Sequence, residues 1–434
     1  TVHAGIGGLG RRSVGGVMID GKGVVRAATV AEQQELGNLV RELPSPAQGE
    51  LAEATEMRLI SLKGLQEAII ESKQTGSIPD EVEFLAGLQR IEFVFVDQDN
   101  NDIVVAGPAE PWVLRDDGSV VGKITGGTTM RLADLAVALR SVETARNGGI
   151  SCSIEPTAEG RRRLQSLLAD VKLQPGQNPA ALESAMKEAF GPQMIHLAGI
   201  PTDSRFARIL VAADFEMKRF AMGLRPSPIA GLPSYIHMSR NAAHRAGQNP
   251  RWWMACDYDS LTKSEDGLAW KLTGQGVKTM TEQDIVSRDG SVEGSGKKNK
   301  LAEAWAQKMT DTYGELSREV PVFADLQNIM DLTVVATLIV QERLAERAGL
   351  DLSILATDND AIHLASYDVP RSVDPQCSFI RGRSRWVVSA SGGVDINAFE
   401  VVENQSTDSA VADQRTVALV HSQGQSQSRW WWNK

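Results

Sequence analysis

Cysteine is scarce in this sequence of 434 residues, which contains three. Cys152, Cys256 and Cys377 lie far apart and form no C-x-x-C pair, so they provide neither a zinc-ligand set nor a dense disulfide framework. One disulfide among the three remains possible. Cysteine usage therefore leaves the redox compartment open.

Positive charge is also in short supply. The chain has 45 Lys and Arg against 55 Asp and Glu, with a formal net charge of −10 and a pI near 5.3. Its dense basic runs, 161–163 and 297–298, are short. Nucleic-acid and anionic-membrane surfaces require clustered Lys and Arg, so we expect neither as a partner.

Long hydrophobic runs are missing as well. The longest apolar stretch lies within 332–340, which is about half of what a bilayer crossing requires, so no membrane span is expected. The sequence has no recognisable signal peptide and begins at Thr1 rather than Met. That start is expected of an exported protein after processing, or of a trimmed chain.

Catalytic signatures are absent from the sequence, which has no G-x-S-x-G, no H-E-x-x-H, no phosphate loop and no kinase motif set. The glycine pattern GIGGLG at 5–10 lacks the preceding strand that dinucleotide binding needs. The acidic turn at 97–102 lacks the Gly and the bidentate Glu of a calcium loop. We therefore expect no cofactor or metal, and the sequence favours a non-enzymatic protein.

The sequence does contain alternating strand-like and helix-like segments. This alternation predicts an α/β (mixed α+β) fold with several layers of helix on sheet, and the length favours more than one domain. The predicted units are a mixed α/β domain at 1–156, a second α/β domain with an irregular Trp-containing region at 157–300, a helical hairpin at 301–349, a β-rich region at 350–403 and a polar tail ending in a Trp cluster at 404–434.

The stretch 205–224 lies mid-chain and predicts a core element. Residues 209–211 form a short apolar run typical of a buried strand, and Asp214 then begins an amphipathic helix. Asp214 would lie where a strand becomes a helix, a usual place for a site in an open α/β sheet. Alternatively, Asp214 caps the helix or pairs with Lys218 one turn later.

Residues 301–349 predict two helices, 301–319 and 322–347, separated at Val320 and Pro321. The second helix is apolar on nearly all sides. Such a helix must be buried in the core or at an interface.

Tryptophan follows arginine at Arg251, Arg385 and Arg429. Such pairs could form cation–π platforms for sugars that bear anionic groups, or they could pack in the core or at an interface. The three adjacent tryptophans at the end of the chain are costly to leave in water, so we expect them to dock on a surface. The candidate ligand or interface residues are Arg251, Trp252, Trp253, Trp430, Trp431 and Trp432.

Residues 225–300 hold the richest set of potential metal ligands, although their spacing matches no zinc pattern. With one upstream carboxylate they form a weak candidate polar site, and its residues are Asp214, His237, His244 and Cys256.

Several phrases together resemble an uncharacterised family of planctomycete bacteria, known as a domain of unknown function. They are FLAGLQRIEFVFV with DIVVAGPAEPW (84–112), ISCSIEPTAEG (150–160), RFARILVAADFEMKRFAMGL (205–224), RWWMACDYD (251–259) and VFADLQNIMDLTVVATLI (322–339). The resemblance extends over roughly residues 15–400. It implies an exported protein and carries over no catalytic or binding residue.

Three functions follow as hypotheses. The leading one is a non-enzymatic cell-envelope or extracellular structural protein that self-assembles into a homo-oligomer, with other envelope proteins or anionic glycans as further partners. The second is a polysaccharide-binding protein or hydrolase that uses the Arg-Trp pairs. The third is a metal-dependent hydrolase built on the His, Cys and Asp set.

Overall fold

The mixed α+β class is confirmed by the computed structural model, which is 43% helix and 25% strand. The structure describes residues 13–14, 16–29, 31–33, 47–115, 117–170, 179–239, 248–286, 292–294, 299–375, 377–380, 386–389, 391–423 and 429–434. Thr1, the glycine pattern at 5–10 and His244 lie outside these residues.

The strands in chain order are β1 (Ser13–Val14), β2 (Val17–Ile19), β3 (Val24–Ala27), β4 (Thr55–Ser61), β5 (Phe93–Asp97), β6 (Asp102–Ala109), β7 (Trp112–Leu114), β8 (Val120–Gly122), β9 (Ile150–Pro156), β10 (Gln193–Ala198), β11 (Gln248–Asp257), β12 (Leu261–Lys263), β13 (Ala269–Lys271), β14 (Gly276–Val286), β15 (Val292–Gly294), β16 (Ser372–Val373), β17 (Cys377–Ile380), β18 (Trp386–Ser389), β19 (Ser391–Ile396), β20 (Gln405–Thr407) and β21 (Trp431–Asn433).

The α-helices with described bounds are α1 (Leu62–Thr75), α2 (Asp80–Glu83), α3 (Leu132–Ala145), α4 (Ala158–Asp170), α5 (Pro179–Phe190), α6 (Arg205–Ala221), α7 (Tyr235–Met238), α8 (Lys300–Asp311), α9 (Tyr313–Glu319), α10 (Pro321–Gln341), α11 (Leu344–Ala348), α12 (Ser353–Ala356), α13 (Ala398–Glu403) and α14 (Ala410–Gln423).

A ten-stranded mixed sheet has the order β1-β2-β3-β16-β10-β9-β19-β11-β14-β15. Its neighbours are antiparallel except for the parallel pairs β3–β16 and β11–β19. Helix α6 packs on β9 and β19, and helices α8 and α10 pack on β14. The helices cover one face of these central strands, so the hydrophobic core lies between them and the sheet.

The region 157–300 is more regular than the sequence indicated. Strands β11 and β14 pair antiparallel from Gln248 opposite Ile285 to Asp257 opposite Gly276. The prediction of an irregular Trp-containing region was wrong for these strands. Adjacent bulky residues that point to opposite faces, as Trp252 and Trp253 do, hide the period of two that identifies a strand.

A seven-stranded sheet has the order β20-β12-β13-β5-β6-β4-β21. Its β5–β6 hairpin closes through the acidic turn at 97–102, where Asp97 accepts hydrogen bonds from the backbone and side chain of Asn100. A polar turn explains this stretch because Asx side chains bond to backbone N–H groups a few residues on.

Helix α6 corrects the predicted strand at 209–211 and the predicted helix start at Asp214. It begins after Ser204, whose hydroxyl accepts the backbone N–H of Ala207, and it continues to Ala221 without interruption. Residues 206–218 are buried, and an apolar run of this kind cannot be assigned to a buried strand or a buried helix from periodicity alone. Asp214 is therefore in mid-helix and caps nothing.

The alternative prediction, a pair with Lys218, is confirmed. The Lys218 Nζ lies 2.7 Å from Asp214 Oδ2, and both side chains are completely buried. The same ammonium donates to the carbonyl oxygens of Ile154 on β9 at 3.0 Å and Gly392 on β19 at 3.1 Å. Lys218 thus joins the helix to two neighbouring strands from beneath the sheet.

Helix α10 confirms the predicted buried apolar helix after Val320, but it ends at Gln341 and not at residue 347, because Arg343 adopts a left-handed conformation before the short helix α11. By length and composition it could cross a membrane, but 94% of its most apolar window is buried inside this protein. Its two buried acidic side chains are paired: Asp331 with Arg90, and Asp325 with Arg205. The helix packs on α3, α6, α9 and α13, so it is a core helix rather than half of an isolated hairpin.

The three terminal tryptophans dock on their own chain. Strand β21 pairs with β4, which places Trp431 opposite Ile60, and it forms one edge of the seven-stranded sheet. Trp432 packs in an apolar cluster with residues of β4, β5 and α14, and its indole N–H donates to the carbonyl oxygen of Ala418. The segment 404–434 therefore includes a strand, a helix and a docked strand, and the prediction of a polar tail was wrong for these elements.

Replacing Lys218 by Met should destabilise the fold by about 3–5 kcal/mol, because it leaves Asp214 and two carbonyl oxygens buried without the ammonium. Urea denaturation followed by circular dichroism measures the loss. The double variant Lys218→Met with Asp214→Leu should recover much of it, because no buried carboxylate remains.

The control is Arg163→Met, which breaks the exposed i,i+4 pair with Glu159 on α4 and a hydrogen bond to the carbonyl oxygen of Ala189, and it should change stability by about 1 kcal/mol. Equal effects of Lys218→Met and Arg163→Met would contradict the structural role of the buried pair.

Candidate functional site

The face of the ten-stranded sheet opposite α6 provides the candidate site. On β9 the side chains of Ile150, Cys152 and Ile154 are buried against the core, and the intervening residues are partly exposed. This alternation is typical of a sheet with one face on the core and the other toward solvent.

Strand β11 follows the same alternation. Trp252 is completely buried, its ring centroid lies 4.9 Å from that of Trp305 and 5.0 Å from that of Tyr235, and its indole N–H donates to Ala302. Trp253, the next residue, faces the other way and is partly exposed. One member of the predicted Trp pair is a core residue, and the other belongs to the surface.

Strand register places Trp253 second in a row of five residues that crosses five strands. Trp253 lies opposite Met280 on β14 and Gly393 on β19, Gly393 lies opposite Ser153 on β9, and Ser153 lies opposite His196 on β10. Paired residues point to the same face of a sheet. We call this row and the two rows that flank it the outer face. The first flanking row consists of Glu282, Arg251, Ser391, Glu155 and Met194. The second consists of Lys278, Ala255, Asp395, Ser151 and Ala198.

Two glycines of β19 lie beside Trp253, where the neighbouring backbone approaches closely. A Cβ atom on Gly393 would lie 1.6 Å from the carbonyl oxygen of Cys152, so no larger residue fits without movement of the backbone. Gly392, with φ of +131°, would bring a Cβ atom equally close to the carbonyl oxygen of Trp252. Along this row, Gly393 lies between the Trp253 indole and Ser153.

The outer face carries more negative than positive charge. Arg251 lies 3.4 Å from Glu155, and Lys278 lies 3.7 Å from Asp257 at the end of β11. Glu282 and Asp395 add two further carboxyl groups, and burial raises the pKa of Asp395 above its usual value. On the three rows two cations face three carboxyl groups, and Asp257 adds a fourth carboxyl at the end of β11, so the surface provides no field for an anionic ligand.

The other Arg-Trp pairs are placed differently. The guanidinium of Arg429 lies over the Trp431 ring at 3.7 Å, and that of Arg58 lies over the same ring at 5.1 Å. The cation–π contacts at the end of the chain therefore hold strand β21 on its own protein and do not form a platform for a sugar. Arg385 and the side chain of Trp386 lie outside the described residues.

Trp253 differs from the other tryptophans that the structure describes. Its counterparts are at most 7% exposed: Trp112, Trp252, Trp270, Trp305, Trp430, Trp431 and Trp432. Of the six candidate ligand residues, Arg251 and Trp253 remain accessible for binding.

Of the residues proposed for a metal, the three that the structure describes, Asp214, His237 and Cys256, are not brought together, and His244 lies outside the described residues. Asp214 is held by Lys218 beneath the sheet, where burial raises its pKa, and His237 is exposed on α7. Cys256 Sγ lies 3.5 Å from Met330 Sδ in a largely apolar environment. Among the described residues no three His, Cys, Asp or Glu side chains are grouped so that they could hold a metal ion.

Sequence reasoning missed the residues that surround Trp253. Gly393, Ser153, His196 and Met280 come from four strands that are distant in sequence, and no local motif connects them. The alternation of ISCSIEP over β9 was the available signal, since it marks Ser151, Ser153 and Glu155 as a solvent-facing set.

A family model described as a protein of unknown function (DUF1598) matches residues 152–235. This segment runs from β9 through α6 to the start of α7 and includes the Lys218–Asp214 pair. Comparison with curated proteins and with solved structures found no significant match.

The thiols of Cys152 and Cys256 are free and should be unreactive in the folded protein. Burial raises the pKa of Cys152 well above its usual value and that of Cys256 to about 12. Both groups are acids with raised pKa, so both remain protonated at pH 8, and the thiolate fraction of Cys256 is on the order of one in ten thousand.

The measurement uses Ellman's reagent at pH 8 on the variant Cys377→Ser, which removes the third cysteine. Two thiols per chain should react in urea and almost none without it. A fast-reacting thiol in the native protein, or no thiol in urea without reductant, would contradict this environment.

Proposed function

We propose that this protein is a non-enzymatic cell-envelope or extracellular protein that binds a neutral polysaccharide on the outer face of its ten-stranded sheet. The observation that carries the proposal is the position of Trp253, which is partly exposed on the outer face while its described counterparts are buried. An exposed indole provides a large flat apolar area that a sugar ring can cover.

The polar residues around Trp253 suit hydroxyl groups. Ser153 and His196 lie along the same row as the indole, and the Arg251–Glu155 pair borders it at one end. Hydroxyl, imidazole, guanidinium and carboxyl groups together offer both donors and acceptors. A few placed polar groups around an apolar contact are typical of small-molecule recognition.

The rows around Trp253 have dimensions that suit a narrow polymer. Five strands at about 4.8 Å spacing and three outward rows give an area on the order of 400 Å². A polysaccharide chain that runs along the row of Trp253 fits within that area.

The charge of the outer face determines the class of polysaccharide. Its excess of carboxyl groups would repel uronic-acid or sulfated chains. A neutral glycan therefore replaces the anionic glycan that the Arg-Trp pairs alone indicated. Export to the envelope belongs to the same proposal, since such polymers occur there.

Replacing Trp253 by Ala should weaken retention on the bound polysaccharide by about tenfold or more, because a central aromatic contact commonly carries most of the binding energy. The assay is co-sedimentation of the full chain with insoluble cellulose, chitin and curdlan, with alginate beads as the anionic comparison. The fold should survive, since the indole is on the surface.

The matched control is Ile70→Ala, which removes another exposed apolar side chain, 46% exposed on α1 and away from the outer face. Trp252→Ala is unsuitable because it opens a cavity in the core. Binding that is unchanged in Trp253→Ala, or absent from every neutral polymer, would overturn the proposal.

A second proposal retains self-assembly into a homo-oligomer, and the edge strand β21 supports it. Six terminal residues dock by strand addition: Ser61 N–H donates to Trp430 O, Lys434 N–H donates to Met57 O, and Arg429 pairs with Glu50. The terminal strand of a neighbouring copy could form the same backbone hydrogen bonds with β4 in place of the chain's own strand.

Light scattering after gel filtration tests this second proposal. The full chain should form a discrete oligomer, and a chain that ends at residue 428 should be smaller in subunit number because the exchanged strand is gone. A monodisperse monomer in both cases would reject self-assembly and leave polysaccharide binding untouched.

A further inference from the structure

Trp253 and Met280 lie opposite each other on neighbouring strands of the outer face. Met280 belongs to β14 and Trp253 to β11, and both side chains are partly exposed. Opposed side chains of an antiparallel pair have Cβ atoms about 4.5–5.5 Å apart, so the thioether and the indole lie side by side. The remaining residues of the row are Gly393, Ser153 and His196. The apolar part of the row is therefore at one end, and we call Trp253 and Met280 the apolar pair.

Polar side chains border the apolar pair on both sides. Arg251 and Glu282 lie opposite each other in the first flanking row, and Lys278 belongs to the second flanking row. All three side chains are partly exposed, so a ligand on the surface can reach them. Guanidinium and ammonium groups donate hydrogen bonds, and a carboxylate accepts them. A ligand on the apolar pair therefore meets donors on both sides and an acceptor on one side.

A sugar that carries only hydroxyl groups would use part of this arrangement. Its ring can cover the Trp253 indole, but it has no apolar substituent to place against the thioether of Met280. An acetamido group on the ring supplies what is missing. Its methyl group suits Met280, its N–H suits the carboxylate of Glu282, and its carbonyl oxygen suits the guanidinium of Arg251.

We propose, on the basis of the polysaccharide binding proposed above, that the bound glycan carries N-acetyl groups. One sugar ring covers the Trp253 indole, and its acetyl methyl group contacts Met280. Arg251 and Glu282 bind the amide. Met280 is then the residue that distinguishes an N-acetylated sugar from a plain hexose at this surface.

A cationic amino sugar is the alternative ligand for a surface with an excess of carboxyl groups. Loss of the acetyl group turns the nitrogen into an ammonium group. At the apolar pair this group would lie near Arg251 and Lys278 as well as Glu282, and the thioether of Met280 would have no apolar partner. These neighbours favour the acetylated sugar.

Isothermal titration calorimetry on the full chain tests the proposal with chitotetraose and cellotetraose. The two tetrasaccharides have the same glycosidic linkage and differ in the acetamido or hydroxyl group on each ring. Chitotetraose should bind about fivefold or more tightly than cellotetraose, because it buries an additional methyl group and pairs its amide.

The other outcomes separate this proposal from the one on which it rests. Equal affinities for the two tetrasaccharides, or tighter binding of cellotetraose or of deacetylated chitotetraose, would overturn the N-acetyl assignment and leave polysaccharide binding in place. Binding of none of them, together with no retention on the insoluble neutral polymers, would overturn both proposals.

The variant Met280→Ala locates the preference. It should weaken chitotetraose binding by about fivefold and leave cellotetraose binding unchanged, because the lost contact is with the acetyl methyl group. The matched control is Met194→Ala on β10, which removes another exposed methionine from the outer face, 38% exposed and distant from the apolar pair. It should change neither affinity. Unchanged chitotetraose binding in Met280→Ala, or an equal loss for both tetrasaccharides, would refute the role of Met280.

Discussion

The buried ion pair of Lys218 and Asp214 is the interaction on which the central architecture depends. Its ammonium is bound by a carboxylate of α6 and by carbonyl oxygens of β9 and β19, so one charged group fixes the helix and two strands relative to each other. The carbonyl oxygens belong to Ile154 and Gly392, immediate neighbours of Ser153 and Gly393 on the opposite face. The contact beneath the sheet thus supports the geometry of the proposed binding surface above it.

The same principle recurs in the core helix α10. A helix that is apolar on all sides has no preferred rotation about its own axis. Helix α10, however, carries two buried aspartates, and each of them binds a different neighbouring side chain. Arg90 and the Tyr258 hydroxyl bind Asp331, and Arg205 binds Asp325 while it also pairs with Asp134. Hydrophobic burial supplies the driving force, and these paired charges fix one rotation of the helix.

Local features could be predicted from the sequence. The β2–β3 and β5–β6 hairpins close at Gly and Asx turns, and α10 begins at Pro321, because such residues constrain the backbone within a few positions. Features that depend on residues distant in sequence could not be predicted in this way. Residues 209–211 belong to a helix that is buried on all sides here, so their apolar run could not be distinguished from a buried strand, and Trp253 is exposed only because Trp252 faces α8. The outer face requires strand order, which no single segment encodes.

Hydroxyl-radical footprinting of the free protein, with tandem mass spectrometry to resolve adjacent residues, tests the central claim most directly. The account predicts that Trp253 is oxidised much faster than Trp252 and than Trp430, Trp431 and Trp432, because it is the one among these five that faces solvent. Oxidation of Trp252 or of the terminal tryptophans as fast as that of Trp253 would contradict the orientation of β11 and remove the basis of the proposed binding face.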